Sequence, residues 1–179
     1  MQERLVLTIL GPDRPGLVEQ LAALVTAHEG NWLESRMCRL GGEFAGILRC
    51  QVPDRRRPAF ERALADLEKA GLSVVTKIDP GETPTPGRSA VLEIVGQDRP
   101  GIIRHVSGAL AAHGVNVEEL QSECVSAPMS GELLFQARIR VWLPEGCDLE
   151  RLRADLERLA ADLLAEVTLA PENPAGKPD

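Results

Sequence analysis

Tyrosine is absent from the 179 residues, and three Phe and two Trp make up all the aromatics. A platform on which successive bases stack cannot be assembled from so few rings. Positive charge is scarce too: 20 Lys and Arg stand against 27 Asp and Glu, giving a net charge of -7. Phosphate recognition needs clustered cations, so direct nucleic-acid binding is not expected. No stretch approaches the roughly eighteen apolar residues of a membrane span, and no membrane role is expected. The opening MQERLVLTIL has charges inside its short apolar run and no small-residue cleavage site, so it reads as a strand instead of a signal peptide. Cys38, Cys50, Cys124 and Cys147 lie far apart with no Cys-x-x-Cys pair. They read as reduced cysteines of a cytoplasmic protein, and neither a metal nor another cofactor is called for.

What is present is apolar material, 44% of the chain, enough for one large core or two small ones. An internal repeat decides for two. Shifted by 85 residues, Leu5 to Glu34 aligns with Ala90 to Glu119, and 12 of those 30 positions are identical. Further along the offset becomes 91, because the second copy carries six extra residues around Ser126 to Gly131. With that offset Phe44, Gly46, Leu48, Cys50 and Val52 match Phe135, Ala137, Ile139, Val141 and Leu143, one buried strand face written twice. Cys50 falls on a valine position and reads as a small core residue. The predicted domains are residues 1–79 and 88–170. A Pro/Gly linker over 80–87 joins them, and a flexible tail over 171–179 ends the chain.

Each copy reads as strand, helix, strand, strand, helix, strand. The first strand is Arg4 to Gly11, or Ser89 to Gly96. A 3.6-residue stripe marks the first helix at Leu17, Val18, Leu21, Leu24 and Val25, or Ile102, Ile103, Val106, Ala109 and Leu110. A hairpin covers about Trp32 to Val52, or Asn116 to Leu143. A second helix follows, and the last strand is Leu72 to Asp79, or Leu163 to Ala170. That order is the α+β, ferredoxin-like βαββαβ unit, an antiparallel sheet with both helices on one face. The face without helices holds Val6, Thr8, Leu10 and Ile47 in the first copy. In the second it holds Val91, Glu93, Val95 and Trp142. A half-apolar open face predicts another layer against it, and with Val6, Leu10, Val91, Val95 and Trp142 a homodimer.

The first strand passes into the first helix through GPDRPG (11 to 16) and GQDRPG (96 to 101). Asp13 and Asp98 suit a helix N-cap, and Pro15 and Pro100 the first helical turn. Gly11 and Gly96 allow a turn; Gly16 and Gly101 let something approach the helix start closely. A well-made turn explains all of these but not the repeated Arg14 and Arg99, since capping does not require arginine. His28 and His113 read as C-terminal caps of the first helices.

The paired D-R-P-G turns, each followed by N-x-x-E, resemble those of tandem ACT domains, small amino-acid-sensing modules. Order and length are similar to those of the glycine cleavage system transcriptional repressor group. The resemblance spans nearly the whole chain outside linker and tail. It implies domains that associate side by side and a ligand bound where the turn of one domain meets its neighbour. Transferred to matching positions, it points to Gly11, Asp13, Arg14, Pro15 and Gly16, and to Gly96, Asp98, Arg99, Pro100 and Gly101, with Asn31 and Asn116 nearby. Two departures, Gln97 in place of Pro12 and the six-residue insertion, predict that the two sites are not equivalent.

Helix-start amides and the helix dipole can hold an amino acid's carboxylate, and Asn31 or Asn116 can accept from its ammonium. Arg14 and Arg99 either bind the carboxylate or pair with a glutamate across a domain contact. The ligand favoured is glycine or serine. No set of residues joins a nucleophile, a base and an orienting acid, so the chain reads as non-catalytic. An acylphosphatase-like hydrolase shares the topology and an Arg/Asn pair. Asp13 and Asp98 would nevertheless place a carboxylate in its phosphate cradle, and Pro15 and Pro100 would each remove a donor. A ligand-free ACT adaptor is the other alternative. The resemblance implies repression by contact with another protein, a transcriptional activator. Charge supports contact through the second half: residues up to Thr85 carry 11 basic and 12 acidic groups, the rest 9 and 15.

Overall fold

The computed structural model describes residues 2–81, 85–126 and 131–172. The chain divides into two compact units, Met1–Glu82 and Thr83–Asp179. The first unit contains β1 (Gln2–Pro12), α1 (Leu17–Ala27), β2 (Asn31–Leu40), β3 (Glu43–Pro53), α2 (Arg57–Lys69) and β4 (Ser73–Ile78). The second repeats this with β5 (Gly87–Gln97), α3 (Ile102–Ala112), β6 (Asn116–Ser126), β7 (Leu133–Pro144), α4 (Leu149–Leu163) and β8 (Ala165–Pro171). Both are βαββαβ units with antiparallel sheets of order β2-β3-β1-β4 and β6-β7-β5-β8. Parts of the linker and tail, and residues 127–130 of the insertion, lie outside the described residues.

The period-2 pattern places its apolar set as predicted. Leu5, Leu7 and Ile9 of β1 and Leu48, Cys50 and Val52 of β3 are buried against Leu17, Leu21 and Val25 of α1 and Phe60, Leu64 and Leu67 of α2. Leu92, Ile94, Ile139 and Val141 do the same against Val106, Leu110, Leu152 and Leu156. Burial pushes the Cys50 thiol up to about 11, as its place in the core requires.

Both sheets carry a bulge at the same place, between Trp32 and Glu34 and between Val117 and Glu119. It turns the repeated glutamates onto the open face. There Glu34 meets Arg49 at 3.1 Å and Glu119 meets Arg140 at 3.2 Å. The glutamate of N-x-x-E is therefore a cross-strand ion-pair partner.

His28 and His113 occupy the C-cap positions of α1 and α3. The Nδ1 of His28 contacts the Leu24 carbonyl at 2.9 Å, whereas the Nε2 of His113 reaches Asp155 of α4 at 2.8 Å. That contact holds the Asp155 carboxyl below the usual carboxylate range. Next to each cap the backbone takes a positive φ, 59° at Glu29 and 70° at Gly114.

The open faces differ from expectation. Val91 is 8% exposed and Trp142 half-buried, whereas Val95 is 41% exposed, so of the three apolar residues expected on the second unit's face Val95 is the one well exposed. In the first unit Leu10, Ile47 and Val75 are each more than half exposed.

Candidate functional site

The two glycines of each turn exchange the roles read from sequence. Gly11 and Gly96 lie inside strands and have no positive φ. Their constraint is close approach: a Cβ on Gly11 would sit 2.5 Å from the Gly71 carbonyl oxygen, and one on Gly96 would sit 2.5 Å from the Ala165 Cβ. Gly16 and Gly101 are the residues that need glycine's freedom, with φ of 90° and 97° and ψ near zero. These are the angles of the third residue of a type II turn, and Pro15 and Pro100 pre-set the angle of the residue before. The prolines thus precede the helix and do not belong to its first turn, because Leu17 and Ile102 are the first helical residues.

Nor are Asp13 and Asp98 the caps. Gly16 and Gly101 hold the N-cap positions and neither helix has a side-chain cap, whereas α4 is capped by Asp148 accepting from the Arg151 amide at 3.1 Å. The α1 and α3 starts therefore present amides that no capping side chain covers. The aspartates instead tie the turn to the tip of the following hairpin. The amide of Asp13 donates to Gly42 at 2.9 Å, and that of Asp98 to the matching Leu133 at 3.1 Å. At the tip of the first hairpin Gly41 and Gly42 both have positive φ, as a two-residue type I′ connection demands.

The side chains then diverge. Asp13 forms an ion pair with Arg39 at 2.7 Å. The position 85 residues on is Cys124, and there the Asp98 carboxylate meets a thiol. Partial desolvation first, and Asp98 second, raise the Cys124 pKa. Arg14 donates to Gln20 in the first turn of α1 at 3.2 Å. The residue matching Gln20 is His105, whose ring lies 3.3 Å from where a Cβ of Gly101 would stand, and Arg99 donates instead to Gln97 at 3.1 Å. The Pro12/Gln97 difference thus gives the second arginine its own partner.

Sequence reasoning missed Arg39, Gly42, Cys124 and Leu133; the repeat offsets applied to the hairpin tip would have found them. It also misplaced two residues. Asn31 and Asn116 are not near their own turns. Asn31 pairs in register with Gln51, which faces Arg4, whereas Gly11 faces Phe44. The two positions stand about seven residues, or roughly 23 Å, apart along the strands. Asn116, paired with Trp142, is equally far from Gly96. The structure brings Gly11, Asp13, Arg14, Pro15 and Gly16 together, and likewise Gly96, Asp98, Arg99, Pro100 and Gly101, without the asparagines.

The Asp98–Cys124 contact has a chemical readout. At pH 8 an alkylating reagent is expected to modify exposed Cys124 more slowly than exposed Cys38, with buried Cys50 reacting only on unfolding. Asp98→Asn should speed Cys124 by removing the Asp98 contribution and leaving the desolvation. Peptide mass spectrometry of a time course checks this, and equal rates at Cys38 and Cys124 in both proteins would contradict the contact.

Among the described residues no group of three or more His, Cys, Asp or Glu could hold a metal ion, and no helix is long and apolar enough to cross a membrane.

Comparison with known proteins places these turns in context. ACT-domain models match residues 3–77 and 90–160. The chain is 28% identical over 144 residues to the glycine cleavage system transcriptional repressor of Escherichia coli (strain K12), spanning 78% of this chain and 74% of that one. Among solved structures, an unknown protein from Galdieria sulphuraria superposes with a TM-score of 0.83 at 27% identity, covering 97% of this chain and 100% of that one. A candidate glycine cleavage system transcriptional repressor gives 0.69 at 22% identity, with 94% and 96% covered, and shares the fold.

Proposed function

This chain belongs to the ACT-domain family and carries two copies of the domain, and from that premise we propose that it is a non-catalytic regulator that senses a small amino acid, glycine or serine first. The observation that carries this reading is the doubled D-R-P-G turn at a helix start without a capping side chain. Free amides and a positive dipole end suit a carboxylate, and glycine leaves room above them: nothing lies within 4 Å of a Cβ built on Gly16. Arg14 and Arg99, in the turn just before these amides, offer a second pair of donors. The ammonium needs an acceptor, and Asn31 or Asn116 can serve only from a neighbouring domain, since neither reaches its own turn. Ligand sensing at contacts between ACT domains belongs to the same reading.

Similarity to the Escherichia coli repressor supports transcriptional control as the output. Lacking the cations for DNA, the chain would act by holding a transcriptional activator, with the acidic second half facing a basic surface on it. Self-association as a homodimer belongs to the same reading, and the setting is the cytoplasm.

A thermal-shift panel of amino acids tests it. A ligand bound only by the folded state adds about 2.7 kcal/mol at one hundred times its Kd, a rise of about 10 to 20 °C for a domain of this size. Glycine or serine should give that rise, and Arg14→Ala combined with Arg99→Ala should reduce it if the guanidinium groups hold the carboxylate. No shift with any amino acid at millimolar concentration would leave the adaptor reading.

A further inference from the structure

The open sheet faces of the two units are built from opposite materials. Register defines what shares each face. In the first unit Val6, Thr8 and Leu10 of β1 stand beside Arg49, Ile47 and Ala45 of β3. Lys77, Val75 and Ser73 of β4 flank them on one side, and Glu34, Arg36 and Cys38 of β2 on the other. The end of this face near the D-R-P-G turn is apolar: Leu10, Ile47 and Val75 are 52%, 51% and 54% exposed, and Leu40 at the hairpin tip is 80% exposed. In the second unit Val95 keeps the place of Leu10, but the residues around it are charged or polar. Glu93 replaces Thr8, Arg138 replaces Ile47, Gln136 replaces Ala45, Glu123 replaces Cys38 and Thr168 replaces Val75. Arg138 forms an ion pair with Glu93 across the middle of that face, which suits water.

We propose that the open face of the first unit is the dimer interface and that its occupant is the same face of a second copy. The proposal rests on the self-association put forward above and assigns it a surface and a symmetry. A two-fold axis parallel to β1 between two stacked faces exchanges β2 with β4 and β3 with β1. It lays Ile47 over the partner's Thr8 and Ala45 over the partner's Leu10, so the apolar ends coincide. It also sets Glu34 opposite the partner's Lys77, and Lys77 opposite the partner's Glu34. Lys77 forms no ion pair among the described residues and is exposed, so this contact gives it an acceptor. The axis opposes no like charges, because Arg49 falls over the partner's Val6 and Arg36 over the partner's Val75. Arg49 and Arg36 already hold Glu34, at 3.1 and 3.2 Å, and Arg49 also holds Asp79 at 3.0 Å, so covering them leaves no charge unpaired. The face measures about 19 Å across the strands and about 27 Å along them. Two such faces bury about 1,000 Å², the lower bound for a specific interface.

Analytical ultracentrifugation of the full chain, with variants made in pairs, tests the assignment. Ile47→Asp and Val75→Asp should each raise the dimer Kd at least about 30-fold, the effect of losing a central apolar contact. Thr168→Asp, at the matching place in the second unit, should leave it within twofold. Lys77→Glu should weaken the dimer about tenfold, and Lys77→Glu with Glu34→Lys should restore most of the loss. Circular dichroism melts should show all variants folded. A wild-type chain that stays monomeric at high micromolar concentration would overturn self-association itself. A dimer unaffected by Ile47→Asp and Val75→Asp, or broken by Thr168→Asp, would keep self-association and overturn the face. Failure of the charge swap to restore affinity would overturn the two-fold axis.

Discussion

Replacing Phe60 with alanine is expected to remove about 3 to 5 kcal/mol from the stability of the first unit, the largest effect of any single truncation proposed for this chain. Phe60 has no exposed surface and lies in the α2 face that closes the core over Leu5 and Val52. Its ring meets His28 edge to face at 5.5 Å, and His28 is the residue that ends α1. Truncation therefore opens a cavity where both helices meet the sheet, and the backbone cannot collapse into it without moving the α1 cap. At about 4 to 8 °C per kcal/mol for a domain of this size, the first unit should melt about 12 to 40 °C lower. Leu152 occupies the matching helix position in the second unit and is equally inaccessible. Leu152→Ala should cost about 2 to 5 kcal/mol there. Calorimetry fitted to two transitions checks both, since a chain of two domains need not melt in one step. A loss under about 1 kcal/mol for Phe60→Ala would contradict the core described above.

The second large effect concerns ligand binding. Gly16→Asn combined with Gly101→Asn is expected to weaken amino-acid binding at least about 100-fold, or about 2.7 kcal/mol, while changing stability by about 1 kcal/mol or less. Asparagine is the substitution that separates site from fold, because it tolerates the third position of a type II turn. Its side-chain oxygen can also accept from the helix-start amides, so it would occupy the place assigned to the ligand carboxylate. Valine would not separate the two. At φ of 90° and 97° a β-branched residue strains the backbone, and lost binding could then be lost structure. Titration calorimetry with the double variant gives the affinity, and its melting curve gives the control. Unchanged affinity in a folded double variant would remove the turns from the site.

Much of the fold was legible because the chain states it twice. The repeat of Leu5 to Glu34 at Ala90 to Glu119 separated what the fold requires from what one copy happens to carry. Alternation fixed the buried strand face from Phe44 to Val52, and the helical stripe fixed Leu17, Leu21 and Val25. The turn was harder. D-R-P-G fits two local structures, an aspartate-capped helix with proline in its first turn, or a proline–glycine type II turn that precedes the helix. Sequence spacing does not separate them. What decided was non-local: the Asp13 side chain goes to Arg39 and its amide to Gly42, both on a hairpin that a local reading cannot place against it. The same reason explains Gly11, whose constraint comes from Gly71, sixty residues away in sequence. Asn31 was misplaced because closeness in sequence to α1 says nothing about strand direction. The helix carries the chain to the opposite end of the sheet before β2 begins.

The two turns also differ in charge. Arg39 neutralises Asp13, whereas Asp98 faces the Cys124 thiol and has no cation at that position. An arriving ammonium is attracted more strongly by an uncompensated carboxylate than by one already paired. The same carboxylate repels the ligand's own carboxylate at the helix-start amides, so the two turns should differ in affinity.

The most direct test of the account is isothermal titration of the wild-type chain with glycine, serine and the other proteinogenic amino acids. The account predicts binding below millimolar for glycine or serine, with Gly16→Asn and Gly101→Asn weakening it to different extents. Absence of binding by every amino acid at millimolar concentration would contradict it.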